Sequence, residues 1–585
     1  MGYFLRQNKK KNGTYLQMYE SYWDKSLKQP RTRYIKAFGY VENLVSDEIP
    51  DPVSYYKDLV AQEEIKRKKA LDDSTRPRIS DESREKNIGY FLIYSLLETL
   101  KVKDVIDILS SVHQFQFSVY ELLANLIYSR CIEPCSKSKT VSSIFPLLLN
   151  DCNISEDQVY DGCFFIGESY EKYIELFNTQ YENFFKRSFD TVYFDCTNYY
   201  FEIDLSADDK QKGPSKENRK EPIIGQALLL DSDLVPIGMK MYPGNESEKP
   251  YIRKMIEEMK QRYKAKGKTV QIADKGLNCA RNIYAAVKES DDGYIFSKSI
   301  HGRSLSKQEK EWILLEDNDA NKYIDHYDER GNLKYRLKSC VDTFIYSFKE
   351  TDPVTGDEIV TRFSVKEKRV VSYNPSLAAK QKTEIQKQID KASNFTTYNG
   401  LTRNELGNAA KYISIESKDS KGKTVKPTMH INEAKVDEDL KFAGYNLMVT
   451  SELSMSPEQI YEAYHGLWKI EESFRITKSF LDARPVYVQK KESIYGHFLI
   501  CYLSLFLLRV LEIKCFNGKV STNDIIRFIR DFRAVKKDEN TYINISHNRD
   551  AIMKIKEVTG LSNLDALFLT EKEIQNLFDN TILCS

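Results

Sequence analysis

The feature that most constrains this chain is a single aspartate inside a stretch that otherwise reads as a buried β-strand. The run TVYFDCTNYYFEI, Thr191 to Ile203, is rich in β-branched and aromatic residues, and Asp195 sits in its middle. An anion there opposes both strand propensity and burial, so the surrounding sheet must have a use for it. The segments that follow define that sheet. After a charged loop, DLSADDKQKGPSKENRKEP, the run IIGQALLLDSDLVPIGMKMYPGN predicts two strands joined at Asp231-Ser232-Asp233. YIRKMIEEMKQRYKAKG predicts a helix and TVQIADKGL a strand ending at Asp274. RNIYAAVKES predicts a second helix and GYIFSKSI another strand. Three strands, a helix, a strand, a helix and a strand, in that order, predict a mixed α/β sheet with helices packed on it.

The flanks suggest further modules, and the length of 585 residues allows about three to five of them. Residues 1–44 carry nine Lys and Arg against three Asp and Glu, interleaved with aromatics, and Asn12-Gly13 marks a hairpin. A small basic β module over 1–50 that touches nucleic acid is expected. Residues 51–185 read as a helical DNA-binding or linker region, with Asp81 a candidate helix cap. Short strands and charged turns over 301–440 predict a β-rich insertion, which splits a core made of 186–300 and 441–515. Residues 516–585 read as a helical tail. Over the whole chain, 87 Lys and Arg face 86 Asp and Glu. That balance excludes a uniformly basic coat but not a basic groove offset by acidic surface elsewhere. The apolar stretch Phe498 to Leu508, bounded by His497 and Arg509, is too short for a bilayer and predicts a buried helix. No membrane role is expected. The ten scattered cysteines lack zinc-like spacing and are expected to be reduced thiols of a cytoplasmic protein.

Two lookalikes of a phosphate loop, Gly267-Lys268-Thr269 and Gly422-Lys423-Thr424, have Arg262 and Ser417 where the first glycine is required, which removes them. The carboxylates say more. Asp195 in mid-strand and Asp274 at a strand end can converge over one sheet, and two such oxygen donors suit Mg²⁺. A third acid comes from the segment that starts at Ser456-Pro457 and is predicted to continue as one long helix. With Tyr464 at the origin of the helical wheel, Glu471 falls near about 340°, Arg475 near about 20°, Trp468 near about 40° and Lys478 near about 320°. Ala463, Ile470, Phe474 and Leu481 form the apolar stripe near about 240–280°, with Leu467 on the seam near about 300°. Taken alone, this is also the pattern of an amphipathic helix with a solvated salt-bridging face.

These segments together resemble DDE-type bacterial insertion-sequence transposases. YFDCTNYYFE is similar to the first-aspartate strand of that family, and IADKGL to the second. The loop with Gly213, Ser215, Lys216 and Arg219, followed by GQALLLDSDLVPIGMKMYPGN, resembles the family's next two strands. AYHGLWKIEESFRITKS is similar to its Tyr-Arg-Glu-Lys signature through Tyr464, Glu471 and Lys478; the arginine position is Leu467, a departure. The resemblance spans roughly 185–515 and implies a ribonuclease-H-like core. It implies catalysis of DNA cleavage and strand transfer by Asp195, Asp274 and Glu471, which would hold two Mg²⁺ or Mn²⁺ ions. It also implies DNA contacts from Tyr464, Trp468, Arg475, Lys478, Lys216 and Arg219. The implied partners are double-stranded DNA, terminal inverted repeats and target DNA, bound by a dimer on the bacterial nucleoid in the cytoplasm. A nuclease that cuts without joining, or an inactive DNA-binding derivative, are the alternatives. With Leu467 replaced by arginine, DNA-end binding is expected to tighten.

Overall fold

The computed structural model describes residues 2–24, 27–75, 85–111, 113, 115–150, 152–217, 220–265, 267–302, 304–316, 321–352, 354–393, 407–418 and 424–583. The chain forms two compact units, Met1–Ser83 and Arg84–Ser585. Asp81 lies outside the described residues.

In the first unit the strands Tyr3–Lys10, Gly13–Asp24 and Gln29–Tyr40 make an antiparallel sheet. The expected hairpin closes where Lys10 pairs with Gly13, whose φ of 114° suits glycine. Alternation along the middle strand buries Leu16, Met18 and Glu20 on one face. The helix Pro52–Thr75 is tied to that sheet: Glu64 accepts from the Tyr3 backbone N–H at 2.8 Å, and Arg67 reaches Glu20 at 3.6 Å. The other face shows Phe4, Tyr19 and Tyr34 in a row, with Arg6 over the Tyr19 ring at 5.1 Å and Lys10 over Tyr15 at 4.3 Å. The N-terminal unit therefore extends beyond residue 50, because its sheet needs the helix to cover its apolar side.

The second unit is built on a nine-stranded mixed sheet. Its strands lie in the order Ile324–Tyr327, Leu333–Thr351, Glu358–Tyr373, Tyr445–Thr450, Gly293–Lys298, Val270–Ala273, Thr191–Tyr200, Ile223–Leu230 and Pro236–Pro243. The last three form an antiparallel meander, and Thr191–Tyr200 pairs in parallel with Val270–Ala273, which pairs in parallel with Gly293–Lys298. Tyr445–Thr450 is antiparallel to both Gly293–Lys298 and Glu358–Tyr373. The segment expected as a separate inserted module thus contributes a long hairpin that widens the core sheet. Beyond it lie the helix Pro375–Ser393 and a separate two-stranded sheet, Ile413–Lys418 with Thr424–Ile431.

The C-terminal residues are not purely helical, as the sequence suggested. Arg533–Lys536, Thr541–Asn544 and Phe568–Thr570 join Glu85–Asn87 in a four-stranded sheet. Glu85–Asn87 is poorly marked in sequence because its pairing partner, Arg533–Lys536, is far away. Asn87 donates to the Ile529 carbonyl at 2.7 Å and so anchors this return.

The helix Lys491–Val510 runs through the main core. With its π-turn it spans Lys491–Cys515, 25 residues, long and apolar enough to cross a membrane, yet 94% of its most apolar window is buried inside the protein. Gly496 and Gly167 let it approach the helix Glu156–Glu168: a Cβ on Gly496 would lie 2.0 Å from the Cys163 carbonyl oxygen. His497 is buried, with Nε2 3.0 Å from the Ala483 carbonyl oxygen. Cys515 is disulfide-bonded, unlike the free thiols Cys131, Cys163, Cys196 and Cys501, so the expectation of uniformly reduced cysteines fails there.

Arg509 on this helix is fully buried and binds Glu512 at 2.6 Å and Glu472 at 2.9 Å. Lys469 reaches the same two acids at 3.1 and 3.2 Å. This network joins the core helix to the helix Trp468–Arg475. Removing one partner of a buried ion cluster leaves the others unpaired, so Arg509→Ala should cost about 3–5 kcal/mol of stability. Urea unfolding against the exposed control Arg527→Ala measures it; equal losses would show that the network carries no such weight.

Candidate active site

Alternation along Thr191–Tyr200 sends Val192, Phe194 and Cys196 into one hydrophobic cluster and Tyr193 and Tyr199 into the other. Asp195 shares the second face. The parallel ladder to the neighbouring strand ends at Phe194 opposite Ala273, so the next residues on the two strands are Asp195 and Asp274. The charge buried in the central strand therefore has a second carboxylate beside it.

The segment bearing Tyr464 and Glu471 is not one continuous helix. Pro457–His465 starts with a capping box at Ser456, with the Ser456 hydroxyl accepting from Gln459. It packs over Val270–Ala273, Gly293–Lys298 and Tyr445–Thr450. The chain then breaks at Gly466 and Leu467, and Trp468–Arg475 packs over Thr191–Tyr200. The close approach here requires glycine: a Cβ on Gly466 would sit 2.5 Å from the Tyr193 hydroxyl. A π-turn over Ile476–Phe480 ends the segment.

This division aims the two halves at different acids. Tyr464 donates its hydroxyl to Asp274 Oδ1 at 3.2 Å. Burial and the Asp274 charge raise the Tyr464 pKa, which keeps that proton available for donation. Glu471 is electrostatically coupled to Asp274: partial desolvation and then the Asp274 charge push its carboxyl above the usual range. Burial lifts Asp195 to about 6; the Lys216 ammonium opposes this, and Glu248 and Asp274 reinforce it.

Lys216 stands among these acids. Its Nζ is 3.6 Å from Asp195 and 3.4 Å from Glu248, and it donates to the Cys196 carbonyl. Burial lowers the Lys216 pKa, but Asp195 and Glu248 outweigh it and the net shift is upward. Glu248 also crowds the turn after Asp274, since a Cβ on Gly276 would lie 2.9 Å from its carboxylate. The next loop residue, Glu217, is bound by Lys478 at 3.1 Å and Arg484 at 2.5 Å. Tyr199 lies beneath the Lys478 ammonium and Tyr200 beneath the Arg484 guanidinium, at 5.3 and 5.0 Å.

Of the expected DNA contacts, Arg475 and Trp468 are exposed, while Lys216 and Lys478 pair with acids. Arg475 is 60% exposed and pairs with Glu472 at 3.5 Å, away from the acids. Trp468 is exposed, with Lys469 over its ring at 4.3 Å. Lys478 pairs with Glu217. Lys216, its side chain 41% exposed, pairs with Asp195 and Glu248. Leu467 is 5% exposed and part of the core. An arginine there would bury a guanidinium, so the expected gain in DNA binding does not follow. Arg219 lies outside the described residues.

The donor set suits a hard divalent cation. Asp195, Asp274 and Glu471, with Glu248 beside them, offer carboxylate oxygens, and an ammonium already occupies the space between two of these acids. Among the described residues, however, no three acids lie close enough together to hold one ion; binding would require Lys216 to withdraw and the acids to close in. Sequence reasoning missed Glu248, Glu217 and Arg484. The acidic start of the helix Lys249–Tyr263 and a cation six residues beyond Lys478 are the only signals they leave.

The family model described as a transposase DDE domain matches residues 200–507, just over half of the chain. The match includes Asp274 and Glu471 and begins just after Asp195. Among solved structures, the chain is similar to a piggyBac transposase in a synaptic complex with hairpin DNA, at 8% identity and a TM-score of 0.35, with 85% of each chain covered. No curated protein matches the chain.

The raised Asp195 pKa has a consequence for stability. In the unfolded chain this carboxyl ionises near 3.8, in the fold near 6. The stability owed to its neutral form is complete below 3.8 and is lost as the pH rises through about 6. Asp195→Asn should therefore stabilise the metal-free protein by about 2–3 kcal/mol at pH 7, with the gain fading towards pH 4. Urea midpoints across that range test this; a gain that grows on acidification would contradict it.

Proposed function

Because the chain belongs to the transposase DDE-domain family, we propose that it cuts DNA at the ends of a bacterial insertion sequence and joins those ends to a target. Asp195, Asp274 and Glu471 are the reacting acids of a ribonuclease-H-like core. The observation that carries this reading is the parallel register that brings Asp195 and Asp274 side by side beneath the helix bearing Glu471. The sheet order around them, a three-stranded antiparallel meander followed by two parallel strands, is the order such a core requires.

Divalent ions, Mg²⁺ or Mn²⁺, held by the three acids would supply charge neutralisation and an activated nucleophile. The chain's own groups do the rest. Tyr464 holds the Asp274 carboxylate in position through its hydroxyl. Lys216 keeps Asp195 and Glu248 neutralised until a substrate arrives. The core network around Arg509 keeps the Glu471 helix seated while a stiff polyanion is bent across it. Duplex DNA carrying the terminal repeats is the substrate, target DNA the acceptor, and two ends held together call for at least a dimer in the complex. The site of action is the nucleoid in the bacterial cytoplasm.

The test uses duplexes from the DNA flanking the gene, with Mg²⁺ or Mn²⁺. Asp195→Ala, Asp274→Ala and Glu471→Ala should each lower cleavage by roughly 10³-fold or more while leaving end binding within a few fold. Full cleavage by Asp195→Ala would falsify the assignment. Cutting without joining of pre-cleaved ends would reduce the activity to that of a nuclease.

The open face of the N-terminal sheet is a second DNA contact in this reading. Its cations stack on tyrosines across a surface opposite the covering helix. Arg6→Ala combined with Lys10→Ala should weaken end binding and reduce the log–log salt slope by about 2. An unchanged slope would remove this face from the DNA path.

A further inference from the structure

The loop residues Lys216 and Glu217 are adjacent in sequence, and each is bound by charges of the opposite sign. Lys216 lies between Asp195 and Glu248, at 3.6 and 3.4 Å. Glu217 lies between Lys478 and Arg484, at 3.1 and 2.5 Å. Burial tends to raise the Glu217 pKa, but Arg484 and Lys478 dominate and hold it below its usual range.

The second pairing has the form of an anion seat. An ammonium and a guanidinium converge on the two oxygens of one carboxylate, and their side chains lie over the rings of Tyr199 and Tyr200. Arginine and lysine bind phosphate oxygens with the same donors. Arg484 also lines an open cleft with Tyr200, Lys210 and Tyr487, and with Glu202 and Asp204 on the same wall, so one side of the seat is reachable from solution. The side chains of Glu217 and Arg484 are 29% and 28% exposed, so an anion from solution can compete for the cations.

We propose that Lys478 and Arg484 form a seat for a DNA phosphodiester, that Glu217 fills this seat in the DNA-free protein, and that its displacement withdraws Lys216 from the acids. The inference rests on the DNA-processing function above and goes beyond it, since it makes DNA binding the event that opens the acidic site to cations. On the two cations the exchange is even, a phosphodiester for a carboxylate; on the acids divalent cations replace a single ammonium, and the added positive charge offsets the acids and the incoming polyanion. Because the two residues are consecutive, moving Glu217 by the width of a phosphate moves the Lys216 backbone with it. The free protein thus keeps both charge clusters internally paired and does not bind either ligand strongly alone.

The experiment uses the full-length protein and a random-sequence duplex in EDTA, because phosphate contacts do not depend on sequence. Glu217→Gln should bind this duplex several-fold tighter than wild type, and Arg484→Ala should bind more weakly with a salt slope smaller by about 1. In the Arg484→Ala background, Glu217→Gln should lose most of its effect, which identifies coupling through the seat. In EDTA-free buffer, Mn²⁺ binding followed by electron paramagnetic resonance, corrected for Mn²⁺ bound by the duplex alone, should strengthen when the duplex is added to wild type. Lys216→Met should bind Mn²⁺ tightly with or without DNA. The proposal is overturned if Glu217→Gln melts like wild type but binds DNA no tighter, or if duplex leaves wild-type Mn²⁺ affinity unchanged. It is also overturned if Glu217→Gln only loses stability and Arg484→Ala keeps the wild-type slope, the signature of a structural ion pair. Wild-type protein that neither binds nor cuts DNA would instead remove the function itself.

Discussion

The register between Thr191–Tyr200 and Val270–Ala273 is the constraint on which the rest of the site depends. It is a parallel pairing, so its two strands run the same way and end their ladder together at Phe194 and Ala273. Everything beyond that pair is forced: one more residue on each strand is an aspartate. A slip of one residue would turn Asp195 into the apolar layer formed by Val192, Phe194 and Cys196. The hydrophobic alternation that fixes the strand thus fixes the acid, and the energetic penalty of its burial is visible in its raised pKa. Residues that oppose the local pattern are expected at functional sites, and Asp195 is such a residue.

The helical segment above the sheet shows how a second constraint acts. A straight helix from Pro457 to Phe480 would carry one face along its whole length. It divides at Gly466, which lies close against Tyr193, and each half settles over different strands. The first half follows the strands around Asp274 and delivers Tyr464; the second follows the central strand and delivers Glu471. The second half is held from behind by Arg509, which joins Glu472 to the buried helix. Neighbouring residues on one turn therefore have opposite duties, Glu472 fastening the helix to the core and Glu471 facing Asp274.

Much of this was legible in the sequence because period-two alternation and apolar stripes are local signals. The order of strands and helices from Thr191 to Lys298 and the anomaly of Asp195 needed no tertiary information. The extra sheet made by Glu85–Asn87 with Arg533–Lys536 could not be read, because its strands are short and more than four hundred residues apart. The helical wheel put Arg475 on the stripe of Glu471, whereas its side chain is exposed and pairs with Glu472. Glycine at 466 was visible, but its reason, a tyrosine on another element, was not. Leu467 looked like a lost phosphate contact and is a core residue, whereas Arg484, beyond the signature, carries a guanidinium beside Lys478.

The near-neutral total charge follows from the same pairing. A site with dense charge of both signs is costly to leave unpaired. Here the chain pairs them with each other through two consecutive loop residues, one basic and one acidic. In the N-terminal sheet Arg6 and Lys10 lie over the half-buried rings of Tyr19 and Tyr15, while Arg33 pairs with Glu20. In the proposed reading, Arg6 and Lys10 offer an anion a surface without exchange, whereas Lys478 and Arg484 are already paired with Glu217.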